Sequence, residues 1–280
     1  MSKRILTEEH LRQFSAYLCT EEKSAATREK YLRDVRRFRA DLGGEPVSKE
    51  RVAAWKNELQ EQGYAVRSVN SMLASVNCLL GMLGWSECRV KSIRLQRQTY
   101  CPEEQELSRE DYMRLLRAAL KDEQLYLILQ AICSTGIRVS ELRWFTVEAM
   151  GRGTLTVSCK GKTRTIFLSG QLRKKLLRFA RSRGIGSGPV FRNSKGGVLD
   201  RSTIWRRMKQ LCRIAGVAAT KVFPHNLRKL FARTFYEAEK DLAQLADVLG
   251  HSSINTTRIY IMTTGFEHRR RIERMGLVVP

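Results

Sequence analysis

Four short stretches in the second half of the chain carry residue types that could act together on an anionic ester. They are residues 136–142, with Arg138 and Glu141; Lys160-Gly161-Lys162-Thr163-Arg164; residues 224–228, with His225 and Arg228; and Leu249-Gly250-His251, followed by Tyr260. Attack on a phosphodiester adds negative charge to its non-bridging oxygens. Two arginines, each a planar fork of donors, stabilise that charge as it develops. The reaction further needs a nucleophile, a base to take its proton, and an acid for the departing alkoxide. One Tyr, the His residues, one Lys and two Arg supply every one of these roles without a metal ion or other cofactor. The seven cysteines form no C-x-x-C pair, which argues against a zinc site and fits reduced thiols in a cytoplasmic compartment.

Each residue also has a plainer explanation. Tyr260 could be a core tyrosine of an amphipathic helix capped by Ser253. Lys160 beside the turn residue Gly161 could be solvated, and Lys162 rivals it for any chemical role if the hairpin register shifts by a step or two. His225 after Pro224 could cap a helix, and His251 after Gly250 could satisfy a loop carbonyl. Singly, each plain explanation stands. Jointly, they require coincidence.

The elements that must position these residues fall into two parts. In the first, Leu11, Phe14 and Leu18 share one helical face, and Tyr31, Val35, Phe38 and Leu42 another that Gly43-Gly44 stops. Ser48 is an expected N-cap for a third helix, with Val52, Trp55 and Leu59 inward and Gly63 beyond its end. Val69, Met72, Leu73, Val76, Leu79, Leu80 and Leu83 mark a fourth. Polar faces of this unit carry Arg28, Lys30, Arg33, Arg36, Arg37 and Arg39. Apolar periodicity then lapses around Cys101-Pro102, which sets a helical domain over 1–95, a linker over 96–107 and a second domain over 108–280. Ser108 and Asp111 form a capping box at the start of that domain. Residues 154–158 and 164–168 alternate like two strands around a turn at Gly161, after which helical segments run to the end. The fold class is therefore mainly α, with one small antiparallel β-hairpin in the second domain.

Fifty-one Lys and Arg against 28 Asp and Glu leave a formal charge of +23, which suits a regular array of negative charge such as DNA or RNA. An anionic membrane is the competitor. No uninterrupted apolar run is long enough to cross a bilayer, and the first residues lead into Glu8, Glu9 and His10 rather than an apolar signal core. A cytoplasmic, nucleoid-associated protein is expected.

In order and spacing, these stretches resemble the signature of the tyrosine recombinase (phage integrase) family, Arg…Lys…His-x-x-Arg…His…Tyr. It falls here on Arg138, Lys160, His225, Arg228, His251 and Tyr260. The resemblance is dense from about Ala131 to Thr263 and only architectural over the first hundred residues, where the family places a helical, SAM-like core-binding domain. It implies that Tyr260 is a nucleophile forming a covalent 3′-phosphotyrosine link and freeing a 5′-hydroxyl, and that Arg138 and Arg228 clamp the scissile phosphate. It further implies that His225 is the general base, that His251 donates a hydrogen bond to the phosphate and that Lys160 is the general acid. Glu141 is expected to hold an arginine or the backbone in place. Because the phosphotyrosine conserves the energy of the broken bond, strands can be exchanged without ATP.

The resemblance further implies a two-domain clamp on double-stranded DNA carrying inverted-repeat sites, and a homotetramer that exchanges strands through a Holliday junction. An accessory directionality factor is an expected partner, and the apolar tail Gly276-Leu277-Val278-Val279 is expected to dock on a neighbouring subunit. Many family members have a His directly after the second arginine. This chain has Lys229, and then Ala232-Arg233, which turns the expectation from the Xer-type branch towards a mobile-element or DNA-inversion recombinase. No further arm-binding domain is evident before the helical unit, which points to short, simple sites. The rivals are a type IB topoisomerase-like nicking and closing enzyme and a DNA-binding protein with vestigial reactive residues.

Overall fold

The computed structural model describes residues 4–96, 100, 102–159 and 162–275; Lys160 and the 276–279 tail lie outside the described residues, as does the side chain of Lys162. The chain forms two compact units, Met1–Arg97 and Gln98–Pro280.

Among the described residues the first unit has four α-helices: α1 (Glu8–Thr20), α2 (Ala25–Leu42), α3 (Lys49–Glu61) and α4 (Val66–Met82). Their apolar stripes meet in one core, in which Phe14, Leu18, Phe38, Trp55, Leu73 and Leu79 are fully buried. Each such side chain contributes about 1.5–3 kcal/mol by leaving water. Burying an indole also requires a partner for its N–H, and Trp55 Nε1 donates to Asp41 Oδ2 at 2.8 Å. The ends follow the local chemistry expected of them. Ser48 Oγ accepts from the Arg51 N–H at 3.1 Å, and Gly43 ends α2 at φ +59°. Part of the basic face of α2 is already paired, since Lys30 Nζ sits 2.7 Å from the buried Asp34 and Arg37 reaches Asp41, Gln62 and Tyr64.

The second unit runs α5 (Arg109–Ala118), α6 (Glu123–Thr135), a 3-10 turn at Val139–Trp144, α7 (Val147–Arg152), β1 (Thr154–Cys159) and β2 (Lys162–Phe167). It continues through α8 (Gly170–Ser182), α9 (Arg201–Ala215), α10 (Pro224–Glu239), α11 (Leu242–Leu249), α12 (Ile254–Arg258) and α13 (Gly265–Arg274). The hairpin is antiparallel, with Leu155 opposite Ile166 and Cys159 opposite Lys162. Leu155, Val157 and Ile166 turn into the core, so the period-2 pattern sets which face of the hairpin is buried. Strand pairing begins two residues earlier on β2 than the alternation alone suggests and ends at Phe167.

Part of the stretch expected to be linker packs on this unit: Asn226 donates to Gln105 O at 2.6 Å, Arg233 pairs with Glu106, and Leu107 is buried in the core. The capping box at Ser108 forms as expected, with the Asp111 N–H 3.0 Å from Ser108 Oγ. Among the described residues no helix is long and apolar enough to cross a membrane.

Candidate active site

Two helix ends prepare the site. Helix α6 stops at Gly136 and α11 at Gly250, both left-handed with φ +63°. A helix C-terminus presents carbonyls without intrahelical partners and a partial negative charge, which favours a cation there. Arg228 supplies it to both ends at once. It donates through Nη1 to Gly136 O and through Nη2 to Leu249 O at 2.6 Å.

Arg228 lies one turn into α10, which Pro224 opens at its first position, where the missing N–H costs nothing. His225 and Arg228, three residues apart, therefore share one face of that helix. Arg228 is only 1 % exposed, and its Nε has no hydrogen-bond partner among the described residues. Burial, followed by the nearby Arg138 guanidinium, lowers its pKa to about 10.

His251 follows the end of α11. The Arg228 Nη2, which can only donate, lies 3.0 Å from His251 Nε2, so that nitrogen accepts. The proton then sits on Nδ1, which donates at 2.9 Å to Oγ1 of the buried Thr257. Burial first, then Arg228, Arg138 and Arg164, push His251 down to about 4. In the free protein its outer nitrogen thus serves the arginine. The donation to a phosphate expected from the sequence requires Nε2 to become a donor, which an anion among these arginines favours by offsetting their charge.

Tyr260 follows α12, which Ser253 caps. The ring is 7 % exposed and packs in a small apolar cluster with Ala232, Leu245 and Leu249. It also packs against the imidazoles of His225 and His251, with ring centres 4.8 and 4.9 Å away. The phenol hydroxyl lies 3.3 Å from His225 Nδ1, and the Arg228 guanidinium carbon lies 5.7 Å from the ring centre. The core role that the sequence also allowed and the polar contact are both present. Burial, then Arg228, Lys229 and Arg138, lower the His225 pKa, which favours the neutral imidazole, the state able to accept the phenol proton.

Arg138 begins the 3-10 turn. Its backbone N–H donates to Glu141 Oε2 at 2.8 Å and its Nη1 to Oε1 at 3.0 Å. Burial alone would raise the Glu141 carboxyl, but the Arg138 N–H and the guanidiniums of Arg164 and Arg138 outweigh it and hold the pKa below the usual carboxylate value. Arg138, His225 and Arg228 line an open cleft of about 570 Å³. The structure thus gathers Arg138, His225, Arg228, His251 and Tyr260; Lys160 is outside the described residues, although β2, which follows it, reaches the site through Arg164.

Sequence reasoning missed several neighbours. Arg201, Ser202 and Trp205 at the start of α9 line the same cleft, and Trp205 leaves half its surface exposed. An exposed tryptophan on a basic helix was the available signal. Arg164 and Thr257 carried none, because a strand arginine and a helix threonine are ordinary in those places. Arg233, one of the departures from the family pattern, joins Glu106 before α5 to Glu267 on α13.

Comparison with known proteins places the chain in a family. The model of the phage integrase family matches residues 105–265, and that of the phage integrase N-terminal SAM-like domain matches residues 11–86. The chain is 30% identical to the tyrosine recombinase XerA of Pyrococcus furiosus, over 99% of this chain and 98% of that one. A lambda integrase dimer bound to a COC′ core site superposes with a TM-score of 0.76 at 17% identity, covering 93% of this chain and 96% of that one. A lambda integrase tetramer bound to a Holliday junction gives 0.74 at 18%, covering 92% and 78%. The chain belongs to the phage integrase family of tyrosine recombinases.

Proposed function

We propose that this chain cuts and rejoins double-stranded DNA at specific sites through a covalent 3′-phosphotyrosine at Tyr260. The observation that carries the reading is the phenol hydroxyl 3.3 Å from His225 Nδ1, beside Arg138 and Arg228. The scissile phosphate sits between the two arginines, and the unpartnered Nε of Arg228 leaves a donor for one of its oxygens. His225 Nδ1 takes the Tyr260 proton as the phenolate oxygen bonds to phosphorus. The bond to the 5′ oxygen breaks, and Lys160 protonates that oxygen. A 5′-hydroxyl from the same or another strand reverses the step, so the phosphodiester bond is regained without an energy cofactor.

The sites are inverted repeats, and four copies of the chain act on two of them, in the manner that the lambda integrase tetramer on a Holliday junction illustrates for its own DNA. An accessory factor sets direction. For the biological task, the Lys229 and Ala232-Arg233 departures favour integration, excision or inversion of a mobile element. A second task, chromosome-dimer resolution of the Xer type, is favoured by the match to XerA over nearly the whole of both chains.

Incubation with a library of nicked, partly randomised duplexes, followed by denaturation and sequencing of the covalently held DNA, tests the reaction and returns the site. Wild-type protein is expected to yield an adduct enriched in one inverted repeat, and Tyr260→Phe to bind DNA but yield none. Adducts formed by Tyr260→Phe at the wild-type rate refute the nucleophile. Adducts with relaxation but no exchange between two sites identify a topoisomerase-like enzyme instead. The genomic position of the recovered repeat separates the two tasks.

A further inference from the structure

Arg164, on β2, has no part in the reaction outlined above, yet it is bound into the centre of the site. Its Nη2 lies 2.7 Å from Glu141 Oε2 and its Nη1 3.2 Å from Oε1, a two-pronged contact with a carboxylate that is only 3 % exposed. The same two oxygens receive Arg138 through its backbone N–H and its Nη1. One buried carboxylate therefore serves two guanidiniums. Arg164 also packs against Gly250, where an added Cβ would stand 2.7 Å from its Nη1, and the Gly250 carbonyl takes the other Nη of Arg138 at 3.5 Å.

The charges explain why two cations are needed. With Arg138 as its sole partner, a buried Glu141 would place its whole charge on that guanidinium, and a phosphate would have to compete with a fixed carboxylate for the same donors. Attraction between opposite charges is strongest where water is excluded, so that competition would be severe. A second guanidinium leaves the cluster net positive, so that the carboxylate orients Arg138 through one donor without cancelling its charge.

We propose that Arg164 is a positioning residue for this reaction: it holds and neutralises Glu141 so that Arg138 is aligned by that carboxylate yet remains available to the scissile phosphate. The proposal rests on the reading of Arg138 as a phosphate clamp, and it makes a demand that a purely structural arginine does not. Removing the charge of Glu141 should repair the loss of Arg164.

Single-turnover adduct formation is measured on the duplex returned by covalent capture, at saturating protein, for wild type, Arg164→Gln, Glu141→Gln, the double variant and Arg164→Lys, with the melting temperature of each. Arg164→Gln is expected to cleave about 100-fold more slowly, the order of loss when a donor to the developing charge is withdrawn. The double variant, with a neutral amide pair in place of the ion pair, is expected to recover at least about tenfold of it. Arg164→Lys, which keeps the charge but not the fork, is expected to cleave faster than Arg164→Gln. A double variant as slow as Arg164→Gln or slower overturns the proposal, as does Arg164→Gln cleaving at the wild-type rate. Should Arg164→Gln melt below the assay temperature, Arg164→Lys decides: cleavage about 100-fold below wild type by a protein that melts normally means that geometry and not charge is at work, and sinks the idea. Absence of any wild-type adduct is a different failure, that of the reaction itself.

Discussion

Replacing Arg228 by lysine separates what this residue does for the fold from what it does for the reaction. Arg228 meets three acceptors, Gly136 O, Leu249 O and His251 Nε2, from a planar fork. An ammonium has three donors but a tetrahedral arrangement on a shorter reach, so at least one buried acceptor loses its partner, at about 1–3 kcal/mol. Against a typical domain stability of about 5–15 kcal/mol the unit stays folded. The loss in rate is larger. A lysine has no counterpart of the Nε that faces the phosphate, and losing that donor should slow cleavage by about 100–1,000-fold, which corresponds to about 3–4 kcal/mol of barrier.

The site also acts on the charge of the replacement. The burial and Arg138 that lower Arg228 from its ordinary 12.5 to about 10 act on the lysine as well. A lysine in the same place should be lowered in the same direction from its ordinary value of about 10.4. Arg228 stays cationic through the neutral range, whereas the lysine is brought closer to losing its proton there. The residual activity of the variant should therefore decline, relative to wild type, as pH rises above neutrality. Adduct formation at saturating DNA over that range, together with urea unfolding, measures both consequences. Cleavage by Arg228→Lys within threefold of wild type (roughly 0.6 kcal/mol), or an unchanged pH profile, would refute the reasoning.

Two further outcomes follow from the site. Gly250→Ala forces a side chain into a left-handed backbone position and against Arg164 Nη1, Cδ and Cζ at 2.7, 2.9 and 3.2 Å. It should cost about 1–3 kcal/mol in stability and, by lifting Arg164 off Glu141, lower cleavage by at least about tenfold; unchanged cleavage in a melted-and-refolded comparison would contradict the link between this turn and Arg138. Lys160→Ala should regain most of its lost cleavage on a substrate with a 5′-bridging sulfur, whose departure needs no proton. Rescue of a Lys162 variant instead transfers the acid role to Lys162.

The members of the site were legible because the types and spacings of Arg138, His225, Arg228, His251 and Tyr260 carry their chemistry in the sequence itself. The same holds for the helical stripes and most of their ends. Periodicity is a local property, and Ser48, Gly43 and Ser108 act within three or four residues of themselves. What could not be read was the division of labour among the many arginines. Arg164 and Arg138 converge on one carboxylate, Arg233 bridges α10 to both Glu106 and Glu267, and Arg207 pairs with Asp122, although residue type alone distinguishes none of them from a solvated arginine.

The sequence by itself determined the family, the mainly helical architecture and five of the groups that meet, Arg138, His225, Arg228, His251 and Tyr260. Only the tertiary structure decided that Arg228 closes the ends of α6 and α11, that His251 in the free protein accepts from that arginine, and that Tyr260 lies buried against His225. The physical reason is that a charge acquires its role from the acceptors and the loss of water around it. Those are supplied by helix ends distant along the chain, which come together only when the core closes.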